Sequence, residues 1–223
     1  MKRSLVIALA ALMPAAAMAA EPALTNDKDK LSYALGVQIG QDLKARGVDV
    51  NPDVFARALR DMMAGHQPVL NPDEMKRVFD ALNAEMTKKR QAIADKSLKE
   101  GAEFLKQNKG KSGVVELPSG VQYKVIKKAE GKKPTAESSV VAHYRGTLLN
   151  GTEFDSSIKR GTPATFALRG VIQGWQEVLP LMSVGSKWEV FIPAAKAYGD
   201  RGAPPTIGPN ETLKFEIELL EIK

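Results

Sequence analysis

Nucleophilic and metal chemistry have little to draw on in this 223-residue chain, which has no cysteine and only His66 and His143 as imidazoles. His66 follows Gly65 where a helix should end, and His143 lies in a stretch that reads as a strand. Ser156 and Ser157 are near enough in sequence for a Ser-His-Asp arrangement with His143, but neither sits in the context of a nucleophile elbow. Two histidines without cysteines make a poor zinc site. The glycines at Gly170 and Gly174 do not match a phosphate loop. What remains is apolar. The stretch Gly170-Val171-Ile172-Gln173-Gly174-Trp175-Gln176-Glu177-Val178-Leu179 sets Val171, Trp175 and Val178 at helical spacing. A short helix among strands packs on the concave face of a sheet, and Trp175 then has two readings: the floor of a pocket for an apolar ligand, or plain core.

The elements around that stretch alternate. Beyond Gly110-Lys111-Ser112-Gly113 the apolar period changes from helical to two-fold, which places a domain boundary there. Val121, Tyr123 and Val125 alternate with Gln122, Lys124 and Ile126, and residues 140–149 form a second strand. Asn150-Gly151 is a two-residue hairpin signal leading into Thr152-Glu153-Phe154-Asp155. Residues 165–169 precede the Trp175 helix and residues 187–192 follow it. In the last strand Leu213, Phe215, Ile217 and Leu219 point one way and Lys214, Glu216 and Glu218 the other; Leu213, Ile217 and Leu219 are core. About five strands thus wrap one helix in residues 113–223.

The first half is helical, which makes the whole chain α+β. Leu31, Leu35, Ile39 and Leu43 fall four apart, with Tyr33 and Val37 beside them, and Gly47 ends that helix. Asn51-Pro52-Asp53 opens a second helix with Phe55, Leu59, Met62 and Met63 on its face. Asn71 and Glu74 have capping-box spacing before a third. With no proline until Pro118, that helix runs for about 38 residues and about 60 Å. Met75, Phe79, Leu82 and Met86 give it a heptad face; Lys88-Lys89-Arg90 ends the pattern, and the remainder reads as a solvated rod. These helices bury only a thin core alone. Their Met-rich faces predict a homodimer through residues 21–70, with residues 71–112 as a long connecting helix; the alternative is a monomeric three-helix bundle.

Lys2 and Arg3, an apolar run over residues 5–13 and the small residues 15–20 form an export signal, cleaved after Ala19 or Ala20. No later segment has the ~20 apolar residues of a membrane span, so no transmembrane segment is expected. The formal charge is +6, with Lys2 and Arg3 supplying part of it. The excess is dispersed and lacks interleaved aromatics, which argues against a nucleic-acid partner and leaves a low-grade attraction to anionic envelope surfaces.

Five motifs then carry a resemblance. Val141-Ala142-His143-Tyr144, Gly151-Thr152-Glu153-Phe154-Asp155-Ser156-Ser157, Val171-Ile172-Gln173-Gly174-Trp175, Leu181-Met182-Ser183-Val184-Gly185 and Ala197-Tyr198-Gly199 resemble, in order and spacing, the FKBP-type peptidyl-prolyl cis-trans isomerases. The helical first half, the export signal and the run from Pro204 to Glu211 resemble the Mip/FkpA-like subgroup of bacterial envelope proteins.

The resemblance implies a twisted antiparallel sheet wrapped around a short helix, homodimerisation through the amino-terminal helices, and a periplasmic location, with the outer-membrane surface as a further one. It implies a catalytic set of Tyr144, Phe154, Asp155, Trp175, Tyr198 and Phe215, and substrate-binding positions at Arg160, Phe166, Val171, Ile172 and Ile207. Arg160 would orient Asp155, and the Ile207 amide and Tyr198 hydroxyl would meet substrate carbonyls. Ala164 and Ala203 depart from residues frequent in the family, an aromatic and a His. The expected activity is isomerisation of X-Pro bonds in unfolded or peptide substrates during folding of exported proteins. Macrolide inhibitors of the family would bind, and no cofactor is needed. The alternative is a non-catalytic dimeric chaperone that holds unfolded chains between its helical arms.

Overall fold

The computed structural model describes residues 24–223; the export signal expected over residues 1–20 lies outside the described residues. The chain separates into two units, one ending at Gln67 and one spanning Pro68–Lys223. The first holds α1 (Asp27–Ala45) and α2 (Pro52–Met63), and the second begins with α3 (Pro72–Asn108). Each helix opens on an asparagine. Asn26 accepts from the Asp29 amide, Asn51 from those of Asp53 and Val54, and Asn71 completes a capping box with Glu74. No residue of α1 or α2 is buried in the single chain, and Leu31, Leu35, Ile39, Phe55 and Leu59 are each at least 42% exposed.

Helix α3 runs unbroken for 37 residues, through Gly101. Its second half is not the solvated rod that its polar sequence suggests: Ala94, Ser97, Gly101 and Asn108 are buried. Asn108 Nδ2 donates to Gln122 Oε1 at 2.9 Å, Gln122 Nε2 donates to the Leu105 carbonyl at 2.8 Å, and the Phe104 and Phe191 rings lie 5.5 Å apart. A β-carbon on Gly101 would stand 2.2 Å from Thr212 Oγ1. The residue that costs a helix interior about 1 kcal/mol is thus the one that allows close approach.

The sheet has seven strands: β1 (Val114–Glu116), β2 (Gln122–Lys127), β3 (Ser139–Leu148), β4 (Glu153–Ser156), β5 (Ala164–Ala167), β6 (Lys187–Ile192) and β7 (Leu213–Ile222). All pairings are antiparallel, in the order β1-β2-β6-β7-β3-β4, with β5 also paired to β3. β5 ends at Ala167, and Arg169 falls in the 3-10 turn Leu168–Gly170. A short helix α4 (Ser157–Arg160), capped by Ser156, follows β4. Helix α5 (Gln173–Val178) buries Trp175 and Val178 in the core with Leu179, Met182, Ile192, Leu213, Ile217 and Leu219. The alternation of β7 holds from Leu213 to Leu219. Its polar face carries Lys214, Glu216 and Glu218, which pair with Glu189, Lys187 and Lys127.

Candidate active site

Trp175 is both core and floor. It is 4% exposed, belongs to the core cluster, and lines a cavity of about 530 Å³. Its ring meets three others edge-on: Tyr144 from β3 at 5.4 Å, Phe166 from β5 at 5.2 Å and Phe215 from β7 at 5.3 Å. Phe154 from β4 adds a further edge contact to Phe215 at 5.5 Å. Such edge-to-face pairs are favourable by about 0.5–1.5 kcal/mol each beyond the area they bury. The Trp175 indole N–H is buried without a partner among the described residues. Gly146 makes the aromatic wall possible, because a β-carbon there would stand 2.5 Å from two Phe154 ring carbons.

Between the turn Leu168–Gly170 and α5 runs the connection that presents Val171 and Ile172 to the cavity. It is braced by Gln176, whose Nε2 donates to the Val171 carbonyl at 2.7 Å. The Ile172 carbonyl accepts from the Trp175 and Gln176 amides, while its own N–H makes no hydrogen bond to another described residue. Tyr198, 41% exposed, stands at the mouth. The segment that follows it brings Ala203, Pro204, Pro205, Thr206 and Ile207 into the lining as a rim.

One polar cluster interrupts the apolar lining. The Tyr144 hydroxyl donates to Asp155 Oδ2, and Arg160 donates from Nη1 to Asp155 Oδ1 and from Nη2 to the Tyr144 oxygen at 2.8 Å. Burial disfavours the Asp155 charge, but the hydrogen bonds from Tyr144 and Arg160 and the guanidinium charge outweigh it and hold the carboxyl below the usual carboxylate range. Burial, reinforced by the hydrogen bond to Asp155, pushes the Tyr144 phenol up. The cluster is therefore a fixed anion backed by a cation at neutral pH.

Every sequence-predicted site residue except Arg160 lines the cavity, and Arg160 reaches it through Asp155 and Tyr144. One expected role is corrected: the Ile207 amide already donates to the Ala203 carbonyl at 3.0 Å, so it is not free for a substrate. Of the two alanine departures, Ala203 lines the cavity and Ala164 does not. Gly170, Pro204, Pro205 and Thr206, which the sequence marks as part of motifs but to which it assigns no site role, join the lining. The serine–histidine option falls. His143 Nδ1 does lie 3.1 Å from Ser157 Oγ, but that hydroxyl is fully buried, accepts from the Tyr144 amide at 2.8 Å and donates to the Tyr144 carbonyl at 3.2 Å. It is a strand brace with no access for a substrate.

Residues 130–220 match the family described as FKBP-type peptidyl-prolyl cis-trans isomerase, and residues 28–125 match the domain amino terminal to it. The outer membrane protein MIP of Legionella longbeachae is 47% identical over 100% of this chain and 99% of its own length. The peptidyl-prolyl cis-trans isomerase Mip of Coxiella burnetii is 39% identical, covering 95% of this chain and 94% of that protein. The crystal structure of FkpA from Escherichia coli superimposes with a TM-score of 0.64 at 33% identity, over 90% of this chain and 99% of that one. By these matches along nearly its whole length, the chain belongs to the FKBP-type peptidyl-prolyl cis-trans isomerases.

Proposed function

We propose that the aromatic cavity is the isomerase site, with Trp175 as the floor that receives the proline ring and Tyr144, Phe154, Phe166 and Phe215 as its walls. The observation that carries this reading is an apolar cup interrupted by a single pre-organised carboxylate. Resonance gives the peptide C–N bond a rotational barrier of about 18–20 kcal/mol, so uncatalysed prolyl isomerisation takes about 10–100 s at 25 °C. No bond breaks, and catalysis requires only that the twisted amide be bound more tightly than the planar one. Twisting makes the nitrogen pyramidal and the carbonyl less polar. A cup of ring edges and faces withdraws the water hydrogen bonds that favour the planar form.

Donors and the charge then choose the direction of rotation. The Ile172 N–H and the Tyr198 hydroxyl are placed to meet substrate carbonyls, with Val171 and Ile207 packing beside the chain. The Asp155 carboxylate repels a carbonyl oxygen and attracts a carbonyl carbon, so rotation past it has a preferred side. Each tenfold acceleration needs about 1.4 kcal/mol of differential binding, within reach of a few such contacts. Titration with a macrolide of the class that inhibits FKBP-type isomerases tests the placement. The amide resonances of Phe154 and Ile172 should shift and X-Pro exchange should stop; inhibition with shifts confined to other surfaces would refute it.

The remaining organisation belongs to the same reading. Residues 1–20 direct export to the periplasm, where proline-containing unfolded chains are the substrates. Residues 21–70 join two copies, residues 71–112 connect, and residues 113–223 carry the activity. The apolar faces left exposed on α1 and α2 support the homodimer. No helix among the described residues is long and apolar enough to cross a membrane.

A further inference from the structure

The rim that closes one side of the cavity is held from outside by α3. Residues 199–212 form a lobe braced within itself. Ala203 and Ile207 exchange backbone hydrogen bonds at 2.9 and 3.0 Å, and the Asn210 amide donates to the Gly199 carbonyl at 2.8 Å. A β-carbon on Gly202, at φ +64°, would meet the Ile207 and Gly208 carbonyl oxygens at 2.5 Å. These backbone bonds and the close approach at Gly202 tie the two limbs of the lobe to each other. Both of its ends meet α3. At the first, Arg90 Nη2 donates to the carbonyls of Asp200 and Arg201 at 3.1 and 3.3 Å. These carbonyls end the 3-10 turn Gly199–Arg201, whose last acceptors have no partner within the turn. At the second end, Ser97 Oγ donates to Glu211 Oε1 at 3.2 Å, and Gly101 lies against Thr212. Arg90, Ala94, Ser97 and Gly101 recur at spacings that place them on one helical face, along about 16 Å of axis.

We propose that Arg90, Ser97 and Gly101 are positioning residues of the isomerase site: by clamping the lobe at both ends, α3 sets where Ile207 and the proline-rich rim stand relative to Trp175, and so tunes substrate affinity. The inference rests on the cavity being the isomerase site. None of the three residues lines the cavity. The floor and the charged wall come from α5, β3 and β4, which the clamp does not touch. Releasing the lobe therefore transfers its ordering cost to the binding step, and KM responds more than kcat.

The test uses the full chain, an X-Pro tetrapeptide and backbone amide resonances. Arg90→Ala is expected to raise KM about two- to tenfold, the range of one lost hydrogen bond. kcat should change by less than about twofold, and the Ala203 and Ile207 amides should shift while those of Phe154 and Trp175 hold. Arg90→Lys, which keeps the charge but not the planar fork, should restore part of the affinity. Gly101→Ala, whose methyl displaces Thr212, should give the same pattern from the other end. Asp155→Ala is measured alongside: if it retains full activity, the site reading itself fails. If Asp155→Ala is impaired while Arg90→Ala and Gly101→Ala keep the parental KM and rim shifts, the clamp is refuted. Losses of kcat that merely follow a lowered melting temperature, with no shift centred on the rim, would also refute it.

Discussion

Tyr144 donates its phenolic hydrogen to Asp155 and accepts, on the same oxygen, a 2.8 Å hydrogen bond from Arg160. One hydroxyl thus links the carboxylate in the cavity wall to the guanidinium behind it. Tyr144→Phe removes that link and leaves the Arg160–Asp155 pair. The Asp155 carboxyl should move up toward its ordinary range, and kcat/KM should fall about three- to tenfold, the scale of one ordinary hydrogen bond. Carboxyl titration by NMR together with the exchange assay checks both.

The same cluster predicts a flat pH response around neutrality. The folded Asp155 carboxyl is depressed, so its stabilising contribution is complete above the unfolded value of about 4 and is lost as pH falls through the lower folded value. The folded Tyr144 phenol is raised, so its contribution is complete below about pH 10 and is lost as pH rises through the higher folded value. Denaturant unfolding between about pH 5 and 9 should therefore show no transition from this pair. An inflection near neutrality that vanishes in Asp155→Asn would contradict the arrangement.

Gly146 should tolerate no side chain. Its β-carbon would press on Phe154 at 2.5 Å and on Phe215 at 2.8 Å, both in the cavity wall. Gly146→Ala is expected to cost about 1–3 kcal/mol of stability, the range for overpacked cores, and to weaken peptide binding by narrowing the cup. Urea unfolding and the KM of the folded variant measure the two effects.

The exposed faces of α1 and α2 predict association. Sedimentation of the intact chain should give twice the single-chain mass of 24.1 kDa, less the export signal where it is removed. Leu35→Glu combined with Phe55→Glu should give single chains with unchanged kcat on a short peptide. A parent that sediments as a single chain would refute the dimer.

How much of this was legible depended on how large and how regular each signal was. β7 was plain because Leu213, Phe215, Ile217 and Leu219 alternate strictly with charges. The three-residue β1 offers no such run. Val171 shares the helical spacing of Trp175 yet lies before α5, where it can face the cavity. The docking of α3 was hidden because its buried residues are Ala94, Ser97, Gly101 and Asn108, small or polar side chains that a search for large apolar periodicity passes over. The buried Asn108–Gln122 pair likewise looks like surface until its hydrogen bonds are seen. The aromatic wall was readable through family motifs, whereas the engagement of the Ile207 amide with Ala203 depends on a local backbone pairing that no spacing announces.

The Trp175 cavity, with Asp155 in its wall, is the proposed seat of X-Pro isomerisation. Exchange NMR on an X-Pro peptide, comparing the parent chain with Asp155→Ala, tests it most directly. Clear acceleration by the parent is expected, with a drop of at least about tenfold in the variant and both folded by circular dichroism. A folded Asp155→Ala chain that exchanges the peptide as fast as the parent would contradict it.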